Sequence, residues 1–231
     1  MISIIIPVYN QAEHLSRCLD GIKNQSYDNY EIIVVNDGST DKIIDVIGKF
    51  KHIFSHKLTY TEQKNRGAAV ARNVGAKFAK GDYIIFCDAD VVMEPIMLEI
   101  MRKQLKENSS ASFCYSSFIW GHKKFKLWPY DADKLKNMPY INITSLIKKD
   151  HFPGFDETLK KFQDWDLWLT MLDQGHTGIW VDKFIYKVNL GGTQTMSSWL
   201  PSLSYKLLPW LPQVKKYNLA KEIILKKHKL I

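Results

Sequence analysis

The stretch "YIIFCDAD", residues 83 to 90, joins an apolar run to two carboxylates. Tyr83-Ile84-Ile85-Phe86-Cys87 carries no charge and is rich in β-branched and aromatic side chains. Such a run reads as a strand buried on both faces, the kind that belongs to a parallel sheet covered by helices. Asp88 and Asp90 follow it directly. In extended backbone, side chains i and i+2 point the same way. Carboxylates beside a core are costly unless something pairs with them. Both the fold and the chemistry therefore turn on what this pair faces.

Upstream, the same design repeats. Ile2-Ser3-Ile4-Ile5-Ile6 is a β-branched run that Pro7 is expected to stop, "EIIVVND" (31–37) is a second, and "LTYTEQ" (58–63) is a weaker, alternating one. Between them lie helical stripes: Leu15, Leu19 and Ile22; Ile43, Ile47 and Phe50; Val70, Val74 and Phe78; then Met97, Met101 and Leu105, with Pro95 near the start. Gly38-Ser39-Thr40 offers a turn with N-cap residues for the second of these helices. The order βαβαβαβα predicts an α/β fold with a mainly parallel, Rossmann-like sheet flanked by helices.

After about residue 110 the order changes. Strand-like segments "SASFCYSSFIW" (110–120) and "YINITSLIKK" (140–149) flank a basic, aromatic stretch, 121–138. A helix is expected near Asp166 to Leu172, then a strand, "GIWVDKFIYKV" (178–188). Residues 1–195 read as one domain, with a nucleotide-binding half (1–110) and an acceptor-binding half (111–195). Residues 196–231 read as a basic amphipathic extension.

The chain has 231 residues, 45% hydrophobic and 24% charged, the composition of a globular protein rather than a disordered one. Its formal charge of +8 favours anionic partners. Cys18, Cys87 and Cys114 have neither metal-ligand spacing nor a disulfide framework, which fits a reducing compartment. "MISIIIPVYN" is too short for a signal peptide, and no stretch approaches the roughly 20 apolar residues that span a bilayer. The expected location is the cytoplasm, or the cytoplasmic face of a membrane as a peripheral protein.

Ligands of open α/β sheets bind outside the carboxyl ends of the strands. Pro7-Val8-Tyr9-Asn10, Asn36-Asp37 and Asp88-Ala89-Asp90 stand at three such ends. Asp37 suits a nucleobase N–H or a ribose hydroxyl, or else caps the helix starting near Thr40. Tyr9 suits a base face, or plain packing. Asp88 and Asp90 suit a divalent cation shared with substrate phosphates, or a solvated turn. Arg66, at a helix start, is favoured over Arg72 as a base or phosphate contact; Arg72 reads as a solvated helix position or a partner for a nearby acid. Asp164 sits among aromatics in "FQDWDLWL" (162–169), where it serves the helix dipole or acts as a general base.

Taken in order, "SIIIPVYNQAEHLSRCLDGIKNQSYDNYEIIVVNDGSTD", "NRGAAVARNVGAKFAKGDYIIFCDAD" and "FDETLKKFQDWDLWLTMLDQG" resemble family 2 glycosyltransferases of the GT-A fold, over about residues 1 to 190. The resemblance implies an inverting, metal-dependent transferase of the hexosyltransferase kind that uses a nucleotide sugar, most commonly a UDP-sugar. It implies a nucleotide pocket of Pro7, Val8, Tyr9, Asp37, Arg66, Asp88 and Ala89. Asp90, of the DXD motif, would bind Mg²⁺ or Mn²⁺, and Asp164 would deprotonate the acceptor hydroxyl. The acceptor would be a glycan or a lipid-linked saccharide, as in polysaccharide biosynthesis. Two departures stand out: Gln163 replaces the usual acid before the base, and Asn189 stands where many relatives carry a histidine.

Two other readings compete. A nucleotide-sugar binder without turnover fits those departures. A nucleic-acid-binding module fits the charge and the 120–130 aromatics but leaves Asp37, Asp88 and Asp90 unexplained. In the tail, Trp199, Leu200, Leu203, Leu207, Leu208, Trp210 and Leu211 are broken by Pro201, Pro209 and Pro212. Lys215, Lys216, Lys221, Lys226, Lys227 and Lys229 then surround Leu219, Ile223 and Leu230. This pattern suits an anionic membrane surface or a helix packed on the domain.

Overall fold

The computed structural model describes residues 1–191 and 210–231. The expectation for Trp199 to Pro209 lies outside the described residues.

The chain opens with β1 (Ile2–Val8), α1 (Ala12–Lys23), β2 (Tyr30–Asn36), α2 (Ile43–Phe54), β3 (Leu58–Glu62), α3 (Ala68–Phe78) and β4 (Tyr83–Phe86). It continues through β5 (Val91–Met93), α4 (Met97–Glu107), β6 (Ala111–Trp120), β7 (Lys123–Phe125), α5 (Ala132–Asn137) and β8 (Leu146–Lys148). Then come α6 (Gln163–Asp173), β9 (Thr177–Val188) and α7 (Pro212–Lys227). One sheet runs β3-β2-β1-β4-β8-β6-β9-β5, with β7 on β6. The strands β3, β2, β1 and β4 are mutually parallel, and so are β6 and β9; β8, β5 and β7 enter antiparallel. This is the α/β, mostly parallel architecture expected.

The apolar runs explain the order of the sheet. Every residue of β1 is buried, and so are all of β2 but one. A strand apolar on both faces has to lie centrally, with helices above and below. Pro7 does not stop β1, which continues to Val8 with Pro7 paired to Val35. The Val8 carbonyl accepts from the Asp37 N–H on the β2 side, so Pro7 faces β4. The β4 ladder ends at Ile5 opposite Phe86, and the missing proline N–H costs no ladder bond.

The second helix begins at Ile43, and neither Ser39 nor Thr40 caps it. They cross-link to the end of β1 instead. The Asn10 N–H donates to Ser39 Oγ at 3.0 Å, and the Thr40 N–H donates to Asn10 Oδ1 at 2.8 Å. Gly38 is required in this turn: its φ is +75°, and a Cβ there would stand 2.8 Å from the Asn65 nitrogen. In the second half, α6 is anchored by two fully buried tryptophans. Their indole N–H groups donate to the Leu135 and Ile141 carbonyls at 2.6 and 2.9 Å.

The C-terminal helix packs on the domain. Val214 and Ile224 are fully buried, and Tyr217 meets the Phe162 ring edge-on at 5.1 Å. Its other face exposes Leu219 and Ile223 beside Lys215, Lys216 and Lys226. Among the described residues, no helix is long and apolar enough to cross a membrane.

Candidate active site

The carboxyl ends of β1, β2 and β4 open on a cavity of about 260 Å³. Pro7, Val8, Tyr9, Asp37, Asp88 and Asp90 line it, so acids from separate loops meet in one hollow. Arg72 lines it as well, and residues the sequence reading did not single out complete it: Gln11, Ala68, Val91, Phe118, Trp120, Asn142 and Val188. Asn189 also lines it, and its N–H donates to the Asp90 carbonyl at 2.8 Å. Ala89 is buried and is not part of the lining.

Asp37 is 4% exposed and already well supplied with donors. Its Oδ1 accepts from Gln63 Nε2 at 2.7 Å and from the Arg66 N–H at 2.8 Å, and its Oδ2 accepts from the Gly67 N–H at 2.8 Å. It therefore caps the start of α3, not the helix after Thr40. An oxygen with one donor keeps a second lone pair, so Oδ2 can still accept one N–H or O–H from a ligand.

Of the two arginines, only Arg72 lines the cavity, and it pairs with a nearby acid, one of the two readings open to it. Arg66 contributes its backbone to Asp37, while its side chain is exposed and reaches Glu157 at 3.6 Å, away from the cavity lining. Arg72 is buried inside the cleft. Its Nη2 donates to Asp88 Oδ1 at 2.7 Å and its Nη1 to Gln163 Oε1 at 3.1 Å. Phe155 lies beneath the guanidinium, 5.4 Å from its ring centre. The periodicity of α3 does not reveal this, because a residue on a solvated face has the same spacing as one facing a cleft.

Asp90 has a different environment. Burial first, and the Asp88 charge second, push its carboxyl up to about 7. Such a group gains most from a cation. Among the described residues, no three His, Cys, Asp or Glu side chains gather as a metal cage. One pocket carboxylate with few protein partners fits Mg²⁺ or Mn²⁺, which take substrate phosphates and water as further ligands.

Asp164 stands in the first turn of α6, one residue after the Arg72 contact, and is not part of the cavity lining. Burial raises its carboxyl above the usual range; the Trp165 N–H and Arg72 oppose that shift, and Asp88 adds to it. The base candidate therefore senses the charges of Arg72 and Asp88. Gln163 is held between Arg72 and the Leu159 carbonyl, to which its Nε2 donates at 2.7 Å. An amide does both tasks; a carboxylate could accept from Arg72 but could not donate to Leu159.

Residues 3–164 match the family described as Glycosyl transferase family 2. The chain is 42% identical over 106 residues to glycosyltransferase GlyA of Streptococcus pneumoniae serotype 4, covering 46% of this chain and 15% of that protein. It spans 15% to 34% of the length of the first curated relatives it matches. Among solved structures, S. aureus TarS 1–349 in complex with UDP-GlcNAc superposes with a TM-score of 0.74 at 19% identity, covering 89% of this chain and 63% of that one. The mannosyltransferase PcManGT from Pyrobaculum calidifontis, in complex with GDP-Man and Mn²⁺, gives 0.68 at 19% identity, covering 85% and 59%. At such identities the likeness concerns the fold, the GT-A fold of these glycosyltransferases.

Proposed function

Because the chain belongs to glycosyl transferase family 2, we propose that its cleft moves a sugar from a nucleotide diphosphate, a UDP-sugar in the first instance, to an acceptor hydroxyl, inverting the anomeric carbon. The observation that carries this reading is the meeting of Asp37, Asp88, Asp90 and Arg72 around one cavity at the strand ends. Solved relatives of this fold hold UDP-GlcNAc and GDP-Man.

Each residue then has a task. Tyr9, 40% exposed, offers a ring face to the base. Asp37 takes a base N–H on the free lone pair of Oδ2. Asp88, with Oδ1 on Arg72, turns its other oxygen to the ribose. Asp90 is the protein ligand of a divalent cation, which when bound would neutralise charge on the departing diphosphate. Asp164 removes the acceptor proton as the acceptor oxygen attacks from the opposite face, so no covalent sugar intermediate is needed.

Both parts of the chain contribute to the lining, which supports a division into a donor half and an acceptor half. Residues 1–110 supply the acids and Arg72, while 111–195 supply Phe118, Trp120, Asn142, Val188 and Asn189 for a saccharide acceptor. The outer face of α7, with Leu219 and Ile223 among exposed lysines, suits an anionic membrane that carries a lipid-linked acceptor.

Thermal-shift measurements with UDP-, GDP- and dTDP-sugars, with Mn²⁺ and with a chelator, test the donor reading. A ligand at 100 times its dissociation constant adds about 2.7 kcal/mol to stability. A cation-dependent rise for one nucleotide class supports the assignment. A chain whose melting point ignores all of them refutes it.

A further inference from the structure

We infer that the C-terminal helix sets the position of the catalytic base: Lys227 and His228 are positioning residues that act on Asp164 through Asp166. This rests on the reading of Asp164 as the base. Asp166 follows two residues later in the first turn of α6 and is 3% exposed. A buried carboxylate must be met by charge and hydrogen bonds, and here both come from α7 and the residue after it. Lys227 Nζ lies 2.8 Å from Asp166 Oδ1 and 2.9 Å from Oδ2, and His228 Nε2 lies 2.9 Å from Oδ1.

The same two residues reach both ends of α6. Lys227 Nζ also donates to Asp156 Oδ2 at 2.6 Å, in the loop that leads into the helix. His228 Nδ1 meets Asp173 Oδ2 at 2.8 Å, at the last residue of α6. The helix starts from Phe162, a non-glycine residue in the left-handed region (φ 59°, ψ 30°) without a side-chain cap. That conformation is one the surroundings have to hold, and Tyr217 of α7 packs on the Phe162 ring. The strained entry, the buried acid and the base thus share one turn, and α7 supports that turn from outside.

Formation of α6 does not require this clamp. Trp165 and Trp168, fully buried and bonded to the Leu135 and Ile141 carbonyls, already tie the helix to the core. What the charged contacts add is the placement of its first turn relative to the Arg72 side of the cleft. Reacting groups lose rate steeply when misplaced by about 1 Å, so the clamp acts on turnover more than on donor binding.

The test uses the full chain with UDP-GlcNAc, Mn²⁺ and a panel of acceptor saccharides as probes and reads released UDP. Lys227→Met and His228→Asn are expected to lower kcat about tenfold or more while KM for the probe stays within about twofold. Lys227→Arg, which keeps the charge, restores most of the rate. Amide exchange over residues 162–167 accelerates in the two disruptive variants, whereas that of β1 and β4 does not change. Unaltered kcat in both variants, or unaltered exchange over 162–167, overturns the inference. Asp164→Asn run in parallel separates the two readings. If it is inactive while the clamp variants are not, the positioning role alone fails. If it keeps full turnover, the base assignment fails and takes the positioning role with it.

Discussion

Arg72 and Asp88 form an ion pair, Nη2 to Oδ1 2.7 Å, at the centre of the cleft, with the guanidinium buried and the carboxylate still partly open to solvent. The second arm of the same guanidinium holds Gln163, the residue before the base candidate. One side chain therefore links the donor loop after β4 to the helix that carries Asp164.

Replacing Arg72 by Met leaves Asp88 without its cation beside Asp90. A fully buried pair broken this way costs about 3–5 kcal/mol; the solvent contact of Asp88 lowers the expected loss to about 1–3 kcal/mol. The measurement is a denaturant midpoint together with nucleotide affinity, which should fall at least tenfold. Arg72→Lys should not rescue, because an ammonium cannot span Asp88 and Gln163 as a planar fork does.

Asp37→Ala removes the acceptor of three donors at once, from Gln63, Arg66 and Gly67. Leaving buried donors unmet costs about 1–3 kcal/mol. Asp37→Asn keeps the volume but turns an NH₂ group toward N–H donors, so it should behave almost as badly. Both variants should lower the melting point and weaken binding of the free nucleotide, whereas Glu157→Gln, outside the cavity lining, should not.

Asp164→Asn should reduce turnover by roughly 10²–10⁴-fold, the usual contribution of a general base, with nucleotide affinity retained. Gln163→Glu adds a negative charge beside Asp164. A like charge disfavours ionisation, so the acid limb of the pH–rate profile should move to higher pH. A limb that stays in place would show that position 163 does not tune the base.

Docking of α7 should depend on pH at both extremes. The hydrogen bond from Lys227 holds the Asp156 carboxyl at about 2, below its ordinary 3.8, with Thr158 assisting. A depressed carboxyl stabilises the fold above its unfolded pKa and ceases to as pH falls toward 2. Burial works against the Lys227 ammonium, but its bonds to Asp156 and Asp166 prevail and raise its pKa above 10.5. That contribution is complete below about pH 10 and is lost as pH rises further. The melting-point deficit of Lys227→Met should therefore be flat between about pH 5 and pH 9, and shrink between about pH 4 and pH 2.

Much of the site was legible because it sits where strands end. Pro7, Tyr9, Asp37, Asp88 and Asp90 each follow an apolar run in the sequence, and a parallel sheet aligns such ends on one edge. Arg72 was legible as the partner of a nearby acid but not as a residue of the cleft. Its helix has a clear apolar stripe, but the stripe does not say which polar position faces a cavity. Trp120 and Asn142 come from the second half of the chain, and only the pairing of β8 and β6 beyond β4 brings them to the same cavity as Asp90. The lysines of α7 read equally well as a membrane face or a packed face. The structure separates them: Lys227 reaches Asp156 and Asp166 with about a third of its side chain exposed, whereas the Lys226 side chain is two-thirds exposed and Lys215 and Lys216 are exposed too.

The sequence by itself determined the layered α/β scaffold and the edge on which its chemistry gathers. Both follow from local pattern: runs apolar on two faces must be central strands, and the polar residues after them must emerge together. Only the tertiary structure decided which arginine enters the cleft, that Asp37 spends most of its capacity on the loop between β3 and α3, and that a helix from the far end of the chain grips the turn bearing Asp164. Those outcomes depend on which buried charge finds a partner within about 3 Å, and such partners lie 16, 30 or 61 residues apart along the chain.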